Sequence, residues 1–376
     1  MPGSDQPGPV WDRTRLPSLC GQRTEWLRGQ GEASDVVMSS RVRLARNLAG
    51  FPFMPKAERR DREQVLELCR GAITGANLSP HLMWIDLHHA TTLERTLLVE
   101  RQLISRQHAR GKLSSGQGGT DEPRAVAVGL PEERLSIMVN EEDHLRIQSI
   151  RCGLDLASAQ ERGEKADDAI EGALEYAFSP RFGYLTACPT NVGTGARFSV
   201  MLHLPGLRMT GEIEKVKHAA DDMGLAVRGF YGEGSEAAGD FFQLSNQVTL
   251  GRTERNLLDI MQGEIVPKVV EFERRARDVL LGKRRRATED AIFRAVGILE
   301  NARLLSAEEA MNLLSQARLG VLLRLVTGIE PDRLHDLMLL VHNAHLDWAA
   351  GRELEPHERG AARADLVRER LRGGAR

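Results

Sequence analysis

The sequence predicts an α+β fold, a mostly antiparallel sheet flanked by helices, followed by an all-α C-terminal domain. Two observations carry this expectation. Strand candidates at 125–130, 134–139, 145–150, 197–204, 225–231 and 242–250 mix with helical patterns at 165–177, 210–223 and 253–280, without a regular βαβ alternation. From Ala287 to Arg372 the pattern is almost entirely helical, rich in Leu, Ala, Arg and Glu. At 376 residues the chain is long enough for two or three domains, each with its own core.

Taken in order, the first 34 residues are rich in Pro, Gly and charge, with apolar anchors such as Trp11 and Trp26. They predict a loose tail holding at most one short helix. "DVVMSSRVRL" (35–44) predicts a strand. Residues 57–74 set Val65, Leu66, Leu68, Cys69 and Ile73 at helical spacing, and 91–106 repeat the pattern. "GKLSSGQGGTDEPRA" (111–125) predicts a loop from its Gly, Ser and Pro content. "GKRRRATED" (282–290) marks the change to the helical region.

Composition excludes several classes. A net charge of -2 leaves no globally basic surface, so nucleic acid is not an expected partner and any polyanion must be held by local arginine clusters. The four cysteines form no CxxC pair and no zinc spacing, which fits a reducing, cytoplasmic setting. The N-terminus has no signal-peptide core, and no stretch approaches the ~18 apolar residues of a membrane span.

Four separated stretches carry chemistry. In "RLSIMVNEEDHLRIQSI", a strand running through would place Glu142, His144, Arg146 and Gln148 on one face, opposite Leu135, Ile137, Val139 and Ile147. Read alone, the cluster is equally a charged turn between two strands. "SSRVRLARN" places Ser39, Arg41 and Arg43 on one face of a strand, a row of planar forks suited to phosphate or to surface salt bridges. "CPTNVGTGARFSV" is a glycine-rich turn (Gly193, Gly195) leading into a strand with Arg197 and Ser199. It lacks the phosphate-loop and dinucleotide fingerprints. "VRGFYGEGSE" sets Arg228 and Glu233 about a further glycine turn. Five arginines suit a triphosphate, and Glu141, Glu142 and Glu233 suit a cationic co-substrate.

These stretches, with "SNQVTLG", resemble the ATP:guanidino phosphotransferase (phosphagen kinase) family, and within it the branch that acts on arginine in proteins. The resemblance runs from about Asp35 to Ala276 and resumes in "EPHERGAARADLVRERL" (355–371). It implies a tail at 1–34, a catalytic domain at 35–276 and a helical domain at 285–372. It implies ATP, with Mg²⁺ held mainly through the nucleotide phosphates and no protein metal site. Arg41, Arg43, Arg146, Arg197 and Arg228 would be phosphate ligands. The nucleotide site would also draw on Ser39, Ser40, Val42, Gln102, Phe198, Ser199, Val200, Met201, Gly229, Phe230, Tyr231 and Gly232. Glu142 and Glu233 would hold and deprotonate the guanidinium, Glu141 would support Glu142, and Cys188 and Asn191 would lie beside the substrate.

The resemblance also implies a homodimer, protein substrates with exposed arginine, and a zinc-binding activator protein. Its products would be marked for a Clp ATPase/protease, or would include a stress-response repressor. Two departures stand out. Gln102 in "VERQLIS" replaces a histidine of the family pattern. In "RGAARA" (359–364), Arg359 and Arg363 keep the phosphoarginine-sensing motif, but Gly360 replaces its acid. A small-molecule guanidino kinase and a catalytically silent adaptor of the same fold are the alternatives. The C-terminal helical region argues against the first, and retention of the arginines and glutamates against the second.

Overall fold

The computed structural model describes residues 23–111, 122–229 and 238–372. In chain order it contains β1 (Val37–Arg46), α1 (Arg59–Gly75), β2 (His81–Asp86), α2 (Thr92–Glu100), α3 (Arg106–Arg110), β3 (Ala125–Leu130), β4 (Leu135–Val139), β5 (Leu145–Cys152) and α4 (Leu156–Glu171). A small hairpin, β6 (Phe178–Ser179) and β7 (Gly183–Tyr184), precedes β8 (Ala196–His203), α5 (Pro205–Thr210), α6 (Ile213–Asp222), β9 (Leu225–Gly229) and β10 (Phe241–Asn246). Then follow α7 (Glu254–Leu258), a π-helical turn, and α8 (Val266–Lys283). Five more helices end the described chain: α9 (Arg285–Asn301), α10 (Ala307–Leu322), α11 (Pro331–Leu340), α12 (Asn343–Ala350) and α13 (Pro356–Arg372).

Eight strands form one sheet in the order β2-β3-β4-β5-β1-β8-β10-β9. Every neighbouring pair is antiparallel. Period-2 alternation gives the sheet two different faces. On one, Val42, Leu44, Ile147, Phe198, Val200 and Leu244 are buried in a core shared with Ala159, Ala166 and Ile170 of α4 and Val269 and Val270 of α8. Burying each large side chain contributes about 1.5–3 kcal/mol. On the other face, Met38, Ile150, Met201 and Phe241 pack against the C-terminal helices through Leu314, Leu337 and Met338. The C-terminal helices therefore sit directly on the sheet. Glu100 of α2 also accepts the Ala344 and His345 N–H groups at the start of α12, at 2.9 and 3.2 Å, where an acid complements the helix dipole.

Three expectations need correction. The tail is not loose after residue 22: Trp26 and Leu27 are buried among the C-terminal helices, and Arg23 binds Asp336. The helical pattern at 91–106 is broken, because Gln102 takes a left-handed conformation (φ 60°) and Ser105 caps a new helix. The pattern at 165–177 belongs to a helix that begins at Leu156, where Asp155 caps it, and ends at Glu171. No helix among the described residues is long and apolar enough to cross a membrane.

Candidate active site

The polar face of the sheet gathers arginines from adjoining strands. Arg43 on β1 stands opposite Gln148 of β5 and Arg197 of β8, and Arg41 stands opposite Ser199. Gln243 of β10 stands opposite Arg228 of β9. The Arg41 guanidinium donates to Gln243 Oε1 at 2.6 Å and to Ser199 Oγ at 3.3 Å. Arg197 Nε donates to the Asn246 carbonyl at 3.3 Å. Burial, then the charges of Arg146 and Arg197, pull Arg41 down to about 10. Burial and the cations of Arg41, Arg146 and Arg197 hold Arg43 well below the usual arginine range, and its buried Nε has no hydrogen-bond partner among the described residues. Like charges packed this closely disfavour their own ionisation, and an anion laid across them relieves both costs.

Carboxylates meet one end of the row. Residues 140–144 are a hairpin turn between β4 and β5, not a strand running through: Asn140 adopts φ 59° and its N–H donates to the His144 carbonyl. The turn separates residues that a continuous strand would have kept together. His144 faces away from the row, its Nδ1 accepting from Leu48 N–H and its Nε2 donating to the Pro52 carbonyl. Burial lowers it to about 4, so it is neutral. Arg146 lies 2.9 Å from Glu141 Oε2 and 2.8 Å from Glu142 Oε2. The Glu141 side chain is 2% exposed and that of Glu142 37%, which separates an anchoring carboxylate from an accessible one. Glu141 also accepts from Ser105 Oγ at 2.6 Å and from the Glu142 N–H. Burial raises Glu141, but Arg146, His108 and Ser105 together hold it below the ordinary carboxylate value.

Asp143 joins this turn to the Cys188 loop by accepting from Asn47 Nδ2 and Ala187 N–H. Cys188 Sγ lies 3.0 Å from Thr190 Oγ1, and Asn191 closes the short turn after it. Gly193 (φ 115°) and Gly195 (φ 64°) are both required by close packing on protein. A Cβ would lie 2.9 Å from the Thr249 carbonyl at Gly193, and 2.7 Å from the Ala45 carbonyl at Gly195. They shape the loop.

Strand alternation divides the remaining candidates. Ser39 and Ser199 share the arginine face, whereas Val42, Phe198 and Val200 point into the core and Ser40 bonds Gly153 and Asp155. Met201 lies on the arginine face but is covered by the C-terminal helices. Gly229 ends β9, and Phe230, Tyr231, Gly232 and Glu233 lie outside the described residues. The Gln102 carbonyl accepts from Gln148 Nε2, which places it beside the row.

Arg359 and Arg363 sit on α13, away from the sheet's arginines. Arg359 forms a two-bond pair with Asp347, and the buried Arg363 donates to the Val341 and Leu305 carbonyls and to Asn343. Sequence reasoning did not assign Gln243 or Ser105 to the site. Neither has a local signal, since each acts on a partner distant in the chain. Among the described residues no group of three or more His, Cys, Asp or Glu is placed to hold a metal ion.

The family models agree with this architecture. One described as "ATP:guanido phosphotransferase, C-terminal catalytic domain" matches residues 64–276, more than half of the chain. The chain belongs to the ATP:guanido phosphotransferase family. A second model, described as "Protein-arginine kinase McsB C-terminal domain", matches residues 285–375. A protein-arginine kinase of Symbiobacterium thermophilum is 44% identical over 93% of this chain and 96% of its own. One from Brevibacillus brevis is 45% identical over 93% and 95%. Among solved structures, a lombricine kinase superposes with a TM-score of 0.56 at 26% identity, covering 73% of this chain and 72% of that one. The duplicated taurocyamine kinase of Schistosoma mansoni, bound to transition state analog components, gives 0.55 at 26% identity, covering 71% of this chain and 36% of that one.

Proposed function

We propose that this chain is a protein-arginine kinase, transferring the γ-phosphoryl group of ATP to arginine side chains in proteins. The observation that carries the proposal is the row of Arg41, Arg43, Arg197 and Arg146 ending on Glu141 and Glu142. One end of such a row suits a polyphosphate and the other a guanidinium. The 44% identity to a protein-arginine kinase across both regions favours a protein acceptor over a free amino acid.

In this reading Arg41, Arg43, Arg146, Arg197 and Arg228 hold the phosphates. A free guanidinium holds its proton far above neutral pH, so removing it at pH 7 costs roughly 8 kcal/mol. Glu142, assisted by Glu233, takes that proton as the nitrogen attacks phosphorus, while buried Glu141 fixes Arg146. The N–P bond forms as the bond from phosphorus to the ADP oxygen breaks. Negative charge spreading over the equatorial oxygens meets arginine forks already in place. Mg²⁺ would be held mainly through the nucleotide phosphates.

The catalytic domain at 35–276, the helical domain at 285–372, the homodimer, the cytoplasmic setting, the zinc-binding activator, the stress repressor and hand-over to a Clp protease belong to the same proposal. The test is incubation with γ-labelled ATP and either an unfolded arginine-rich protein or free arginine. Acid-labile label on the protein is expected. Label on free arginine alone would make this a small-molecule kinase, and ATP binding without transfer would make it an adaptor.

A further inference from the structure

Helix α10 reaches the sheet through a chain of buried polar groups. Arg318 donates from Nη2 to the Ser34 carbonyl at 2.8 Å and from Nη1 to the Asp35 carbonyl at 3.1 Å, just before β1. Its Nη1 also lies 2.6 Å from His203 Nδ1, at the end of β8. His203 Nε2 lies 2.8 Å from Ser315 Oγ, and Ser315 in turn lies 2.8 Å from Asp240 Oδ2, just before β10. One polarity satisfies every member: Arg318 donates to Nδ1, Nε2–H donates to Ser315, and Ser315 donates to the carboxylate. Burial and the Arg318 cation keep His203 far below its ordinary value, which agrees with a neutral ring accepting at Nδ1. Alongside, Asn312 Oδ1 accepts the Gly239 N–H at 2.9 Å. A Cβ at Gly239 would lie 2.9 Å from the Met311 carbonyl, so α10 and the turn before β10 meet backbone to backbone.

The three strands held in this way carry three of the row's arginines. Arg41 and Arg43 are on β1, Arg197 and Ser199 on β8, and Gln243, which accepts from Arg41, on β10. Ser199 is four residues along β8 from His203, roughly 13 Å at strand rise. Buried hydrogen-bond networks of this kind fix the arrangement of the elements they join.

We propose that Ser315 and Arg318 of the C-terminal helical region are positioning residues for the phosphate-binding row. They set the relative placement of β1, β8 and β10 and hence the spacing of Arg41, Arg43, Arg197 and Gln243. The inference rests on reading that row as the ATP phosphate site. It makes the helical region part of the nucleotide-binding machinery.

The test uses the full chain carrying Ser315→Ala, which removes the link between His203 and Asp240 with the least change in volume, and Arg318→Met. Nucleotide affinity is measured by calorimetric titration with ATP, and KM for ATP and for an unfolded protein acceptor below each variant's melting transition. The expected result is a rise of about 3- to 30-fold in the ATP dissociation constant and KM, with acceptor KM changed less than about twofold. If Arg318→Met does not fold, Ser315→Ala alone decides. Unchanged ATP affinity in folded Ser315→Ala overturns the inference, as does a loss that falls equally on both substrates. Wild-type protein that binds no ATP would overturn the reading of the row itself.

Discussion

The Arg146 guanidinium lies 2.8 Å from the Glu142 carboxylate, so the cation that ends the arginine row also orients the accessible acid. Glu142→Gln keeps the size and an acceptor for Arg146 but cannot take a proton. Turnover should fall on the order of 100-fold or more, the range of a general-base contribution, while ATP binding stays nearly intact. Steady-state rates with a calorimetric ATP titration check this. Near-wild-type turnover would move the base to Glu233 or Glu141.

Arg197→Ala should behave differently, weakening nucleotide binding as well as chemistry. The residue faces Arg43 across β8 and β1, and its Nε is held by the Asn246 carbonyl. Loss of a charged hydrogen-bonding group to phosphate costs about 1.5–3 kcal/mol, or roughly 10- to 100-fold in affinity. An unchanged dissociation constant for ATP would show that Arg197 serves the sheet alone.

How much of this was readable in advance depended on range. The period-2 pattern of β1 placed Ser39, Arg41 and Arg43 on one face, and the structure keeps them there. Between the strands predicted at 134–139 and 145–150 the same rule left two readings open, a strand running through or a charged turn, and Asn140 turns the chain back, so the turn holds. Gln243 and Ser105 escaped notice for another reason. Their partners, Arg41 and Glu141, lie 202 and 36 residues away, and only the folded chain brings each pair together. Arg363 stood in the sequence as part of a phosphoarginine-sensing motif. It is buried because its fork caps carbonyls that the preceding helices leave open.

His144 provides a pH test within the same turn. Its folded value is about 4, against an ordinary 6.5 for the unfolded chain, with burial as the main cause. Between those values the unfolded state binds the additional proton, so this residue's contribution is complete above pH 6.5 and declines as pH falls toward 4. The full decline is up to about 3 kcal/mol. The stability advantage of wild type over His144→Gln should therefore narrow as pH drops from 6.5 to 4. Melting temperatures of both proteins across that window measure it, and a constant gap would refute the assignment.

The last prediction concerns regulation through α13. A phosphoarginine sensor needs arginine forks free to take a phosphate and an acid to take the guanidinium. Arg359 is already committed to both oxygens of Asp347, and Asp347 Oδ1 also accepts the Leu354 N–H. Arg363 is 3% exposed and donates to two main-chain carbonyls and Asn343. In the motif that this segment resembles an acid stands where this chain has Gly360, and a missing charged hydrogen bond there would cost about 1.5–3 kcal/mol. Free phosphoarginine at millimolar concentration should accordingly produce little or no rise in kinase rate. Arg363→Ala should lower the melting temperature by stranding the Val341 and Leu305 carbonyls, at about 1–3 kcal/mol for each buried group left unpaired. A strong phosphoarginine-dependent rise in rate, abolished by Arg363→Ala without loss of stability, would show that these arginines exchange their protein acceptors for the ligand.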